Sequence, residues 1–179
     1  VAGGALTGDG ILDLAVANQG SDSVSVFLNA TAPGAAAPTF AAAADFTAGS
    51  SPVTVAICDL NGDGNPDLAV VNTSSSTVSI LLNTTAPGAA VPTFAAKTDF
   101  PTGSGPQSIA VGDLNGDGKA DLAIDGGGSF VSVLLNTTVT GAAAASFGAK
   151  TDFVTGDWPY SVAVGDLDGD GRPDLVVAN

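Results

Sequence analysis

Oxygen-bearing side chains recur in this chain at alternate positions, a spacing that can surround a hard cation. Three stretches carry it: "DLNGDGNPDL" (59–68), "DLNGDGKADL" (113–122) and "DLDGDGRPDL" (166–175). Carboxylates this close repel one another unless a cation sits among them. An all-oxygen donor set suits Ca²⁺ rather than a transition metal. The predicted ligands of the first stretch are Asp59, Asn61, Asp63, the Asn65 carbonyl and Asp67. The second offers Asp113, Asn115, Asp117, the Lys119 carbonyl and Asp121; the third offers Asp166, Asp168, Asp170, the Arg172 carbonyl and Asp174. Gly64, Gly118 and Gly171 supply turns that a β-carbon would resist. The third stretch opens like an EF-hand loop, but its twelfth place is Val177 where an EF-hand has a bidentate Glu. Its flanks alternate as strands, so a structural calcium site is expected there, not a sensor. It carries one more carboxylate than the others and is expected to bind tightest. A further copy, "ALTGDGILDL" (5–14), has Ala5 and Thr7 in the first and third places. With only Asp9 and Asp13 left, it is expected to be a poor fourth site.

Other chemistries are thinly supplied. The chain has no His, which excludes Ser–His–Asp and Cys–His arrangements. The lone Cys58 cannot form an intramolecular disulfide or a multi-cysteine zinc site, and is read as a small buried filler. Twelve of the 18 aspartates fall in the four loops, and the repeat-phased Asp45, Asp99 and Asp152 are expected to serve turns or caps. The expectation is a protein that is not an enzyme. A net charge of −14, with four basic residues in all, gives no footprint for nucleic acid. It also disfavours an anionic membrane surface, and no apolar run approaches the roughly 18–20 residues of a membrane-spanning helix. The chain begins at Val1 rather than Met, as expected of a processed product or a piece of something longer.

The loops must be positioned by strands. Their first aspartates, at 59, 113 and 166, are 54 and then 53 residues apart. "VSVFLN", "VSILLN" and "VSVLLN" end in the same phase at Asn29, Asn83 and Asn136. A repeat of this length with strand patterns reads as propeller blades. In the central unit, strands are predicted over 54–59, 67–72, 77–83 and 93–100, with turns where Gly, Pro, Asn and Ser cluster. The fold class is therefore all-β, with blades of four antiparallel strands. The predicted units are 1–53, with the degenerate loop, 54–106, 107–160, and the start of a fourth repeat at 161–179. Ala56, Ala110 and Ala163 share one face of the innermost strand, as expected near a crowded propeller axis. Three repeats and a beginning are too few to close a ring of four to eight blades. An incomplete propeller, or one completed by self-association through edge strands, is expected.

Two smaller features complete the reading. Asn29, Asn72, Asn83 and Asn136 lie in N-x-[ST] sequons but are read as strand-end turn residues rather than glycan acceptors. Trp158 and Tyr160, the only Trp and Tyr, are expected to pack within or between blades rather than stand free.

The D-x-[DN]-G-D-G-x-x-D-L loops at 59–68, 113–122 and 166–175, the upstream "IAVGD" and "VAVGD", and the F-x₅-F pieces resemble the FG-GAP/VCBS repeats of bacterial surface proteins. They are similar also to the calcium-bearing blades of integrin α-chain propellers. The resemblance implies a β-propeller, one Ca²⁺ per intact loop, and an extracellular adhesive or scaffolding role with a protein or glycan ligand that the motif does not identify. The chain departs from that pattern in blade number, below the family's usual seven, and in its first loop. A carbohydrate-binding module and a non-catalytic piece of a larger secreted enzyme are the alternatives.

Overall fold

The computed structural model describes all 179 residues and is all-β. The first blade is an antiparallel meander of β1 (Ala2–Gly4), β2 (Asp13–Asn18), β3 (Ser23–Phe27) and β4 (Ala44–Thr47). The second comprises β5 (Pro52–Cys58), β6 (Asp67–Asn72), β7 (Thr77–Leu81) and β8 (Thr98–Pro101). The third comprises β9 (Ile109–Gly112), β10 (Asp121–Gly126), β11 (Phe130–Leu134) and β12 (Thr151–Val154). A two-stranded sheet, β13 (Ser161–Gly165) and β14 (Asp174–Ala178), follows, and the array does not close on itself. No helix long and apolar enough to cross a membrane is present.

The second and third blades each bury both faces between neighbours, which is why β6 and β10 are buried at every residue. Alternate side chains of β6 divide between two cores. Leu68 and Val70 join Val24, Val26 and Ala15 of the first blade. Ala69 and Val71 join Leu122, Ile124 and Leu134 of the third. Each fully buried Leu, Ile or Val contributes about 1.5–3 kcal/mol of transfer free energy, so these interfaces dominate cohesion.

The crowding predicted for the innermost strands is present, but it lies between blades. A β-carbon on Gly4 would stand 2.6 Å from Ile57 Cγ2, and one on Gly112 equally close to Val164 Cγ1. Ala56 packs into the core between the second and third blades, with Cys58 beside it. The outer strand of the second blade is shorter than the predicted 93–100. Only a single bridge, Asn83 to Phe94, precedes β8. The Phe94 ring instead meets Phe46 of the preceding blade edge-on at 4.9 Å, and Phe100 meets Phe147 the same way at 5.0 Å. The two aromatics of the central F-x₅-F piece thus face different neighbours.

The phased aspartates of the outer strands are neither turn nor cap residues. Asp99 and Asp152 accept the hydroxyls of Ser79 and Ser132 directly across the sheet, at 2.6 and 2.7 Å. Lys97 and Lys150 pair with the same two carboxylates. For Asp152, the Lys150 and Ser132 hydrogen bonds hold the carboxyl below its usual range.

Candidate metal centre

All four acidic loops sit at one end of the array, each joining the innermost strand of its sheet to the next strand. Their backbone is bent by paired left-handed glycines: Gly62 and Gly64 have φ of 70° and 88°, and Gly116, Gly118, Gly169 and Gly171 repeat this. The turn aims successive backbone N–H groups at the first aspartate. Asp59 accepts Gly62 N–H at 2.7 Å and Gly64 N–H at 2.8 Å; Asp113 and Asp166 are held in the same way.

The third and fifth positions are locked to the loop as well. Asn61 and Asn115 accept the N–H of Asp63 and Asp117, and donate their side-chain amides back to those carboxylates. The fifth-position aspartates receive the N–H of the seventh residue: Asn65 to Asp63, Lys119 to Asp117, and Arg172 to Asp170, at 2.8, 3.0 and 2.8 Å. Asn61 has a further task. It is buried, donates to the Ala142 carbonyl at 3.1 Å and accepts Gly141 N–H on its own carbonyl, so the third blade's long connector lies on the second blade's loop.

The ninth-position aspartate does most to hold the fold. Asp67 is fully buried; one oxygen accepts Leu60 N–H at 2.8 Å and the other accepts Asn83 N–H at 2.7 Å. Asp121 repeats this with Leu114 and Asn136, and Asp13 with Leu6 and Asn29. Asp174 holds Leu167 N–H. The clamp therefore persists in the first loop, where Ala5 and Thr7 replace two predicted ligands. Thr7 is itself buried there, and its hydroxyl has no hydrogen-bond partner.

Charge accumulates around these clamps. Burial pushes the Asp67 carboxyl up to about 6; the Asn83 and Leu60 N–H groups oppose this, and Asp63 and Asp59 add to it. Burial, then Asp67 and Asp59, pushes the Cys58 thiol up to about 12. A thiol so disfavoured as thiolate is inert, in keeping with a packing role.

In the last loop Asp166, Asp168 and Asp174 bring three carboxylate oxygens within 4.8 Å of one another, an all-carboxylate cluster that no other loop forms. Asp170 lies outside it. The first and second intact loops place Asn61 and Asn115 where this one has Asp168. The donor set is hard oxygen throughout, as a calcium ion requires.

Residues 6–70 and 59–124 each match the model of the FG-GAP-like repeat, and residues 158–179 match that of the FG-GAP repeat. No curated protein matches the chain over its sequence. The matched segments span most of the molecule and contain the three intact acidic loops, and the chain belongs to the FG-GAP repeat family.

Proposed function

We propose that the chain is a calcium-stabilised, non-catalytic interaction module of an extracellular protein. The observation that carries this reading is the convergence of Asp166, Asp168 and Asp174 within 4.8 Å, in a loop whose pattern occurs three times. Asp59, Asn61 and Asp67 would hold an ion in the second blade, and Asp113, Asn115 and Asp121 in the third, with the fifth and seventh positions completing each shell. Bound Ca²⁺ supplies a positive centre that favours ionised carboxylates and ties the loop to the strands on either side. Asp13 and Asp9 alone make a poor fourth site.

The non-catalytic reading rests on the absence of His and on the engagement of the phased aspartates with Ser and Lys across the outer strands. Exposed oxygen-ligand sites of this kind suit millimolar calcium, with dissociation constants on the order of 10⁻⁴–10⁻³ M, as in extracellular modules. Metal analysis of the dialysed protein and thermal melts with Ca²⁺ or EDTA test the reading. Three ions per chain and a melting temperature lowered by chelation are expected; melts that superpose would leave the loops as turns only.

A further inference from the structure

The repeats are not equally faithful, and their departures gather at one place. At the end opposite the acidic loops, a groove of ≈ 400 Å³ opens between the third blade and the last sheet. Trp158 and Tyr160 line it, with Gln107, Ser104, Gly127 and Gly128. Trp158 is 69% and Tyr160 61% exposed, and both rings face the groove.

The backbone beneath Trp158 argues against an accidental placement. Its φ is +57°, left-handed, and the same point of the two preceding connectors is Ser51 at +55° and Gly105 at +61°. A bulky aromatic is poorly suited to that conformation. It is held there by donation of its N–H to the Gly128 carbonyl, while Tyr160 N–H donates to Ala178, both at 2.8 Å. Strain of this kind concentrates where a side chain must be presented.

Around it the third blade abandons the pattern of the others. Where β2 and β6 end in Asn18 and Asn72, β10 ends in Gly126, with the Phe130 ring filling the space. A β-carbon on Gly127 would stand 2.4 Å from the Ser104 carbonyl, so only glycine lets these two groove walls meet. Asp125 stands where the other blades have Ala17 and Val71. It is buried and accepts the N–H groups of both Gln107 and Ser108 at 2.7 Å, fixing the wall that carries Gln107.

We propose that this groove binds a neutral sugar ring, a hexopyranose unit of a glycan. In a chain of net charge −14, no charged side chain lines the groove. Asp157, next to Trp158, is turned to the Ser129 hydroxyl. An uncharged ligand with one apolar face and a hydroxyl edge fits such walls. The C–H face of a pyranose stacks on the aromatic pair, and its hydroxyls meet the Gln107 amide and Ser104 hydroxyl. The inference is independent of calcium, because the acidic loops lie at the other end of the blades.

Trp158 is the sole tryptophan, so its emission reports the groove directly. Titration of the calcium-loaded chain with galactose, mannose, N-acetylglucosamine, and β-linked trimers of glucose and N-acetylglucosamine is the test. A saturable emission change with at least one of them is expected, with a dissociation constant on the order of 0.1–1 mM for so shallow a site. By calorimetry, Trp158→Ala and Tyr160→Ala should each weaken that sugar about tenfold or more. Val139→Ala, an exposed apolar position remote from the groove, should leave it unchanged. Polygalacturonate, an acidic polymer, should not bind. Emission unmoved by every neutral sugar, or Trp158→Ala binding as the parent does, overturns the proposal.

Discussion

Asn136 donates its side-chain amide to the carbonyl of Leu60 at 2.9 Å, spanning 76 residues of chain and one blade boundary. The same amide reaches Ala120 in its own blade's loop, and its oxygen accepts Thr138 N–H. Asn83 repeats the arrangement with Leu6, Pro66 and Thr85. These two buried asparagines rivet successive acidic loops together. Asn29, in the same phase of the first repeat, accepts Thr31 N–H likewise but donates only to Leu12 of its own loop.

That difference sets an internal control. Removing either buried amide strands two carbonyls and a backbone N–H, at about 1–3 kcal/mol for each group left unsatisfied. Asn136→Ala and Asn83→Ala should therefore each cost about 3 kcal/mol or more in urea unfolding. Asn29→Ala, half-exposed, should cost clearly less. Equal losses at all three positions would show that the cross-blade bond contributes nothing.

The ninth-position aspartate should be separable from metal binding. In the first loop Asp13 is buried and holds two backbone N–H groups, although Ala5 and Thr7 leave little to bind a cation. Hydrogen bonds to charged groups are worth about 1.5–3 kcal/mol each. Asp13→Ala should lower stability by about 3 kcal/mol or more, by the same amount in Ca²⁺ and in EDTA. A loss that disappears on chelation would make Asp13 a ligand first and a clamp second.

Much of this was legible in the sequence. The repeat period, the strand–loop–strand hairpins and the four-stranded blades follow from alternation and turn residues, which act locally. The shared phase of Asn29, Asn83 and Asn136 signalled a common task, but Leu60 lies 76 residues from Asn136 and no local pattern points to it. The shortened β8 depended on Phe94 turning to a ring in another blade. Trp158 is a related case: hydrophobicity favours burial, and the left-handed backbone on which its ring is carried has no signal in composition. A β-branched and aromatic composition reads pairing within a sheet well. It reads contacts between sheets poorly, because those are fixed by which blade follows which.

Asp125 offers a pH signature distinct from the acidic loops. Burial raises its carboxyl above the ordinary range, although the Ser108 and Gln107 N–H groups pull it down. The folded state therefore holds this proton more tightly than the unfolded chain. Its contribution to stability is fully present below the unfolded value near ~3.9 and is lost as pH rises through the folded value. Asp125→Asn keeps an oxygen for both N–H groups and removes the ionisation. The stability difference between variant and parent should widen in the variant's favour as pH rises from about 4 and then level off. A difference constant across that range would mean that the fold does not raise the Asp125 carboxyl.

Asp168 should set the order of calcium affinity among the loops. It adds a third carboxylate to the ring made with Asp166 and Asp174, where the other blades place the neutral Asn61 and Asn115. Ligand charge tunes calcium affinity, so on the reading proposed above the last loop fills first in a calorimetric titration. Asp168→Asn gives it the donor set of its neighbours and should weaken that site about tenfold, equivalent to ~1.4 kcal/mol. The other two sites should be unaffected, since the position-three side chain serves its own loop. The variant should also melt earlier than the parent at limiting Ca²⁺ and together with it in EDTA. A parent in which the last loop fills no earlier than the others would show that loop geometry, and not carboxylate count, decides affinity here.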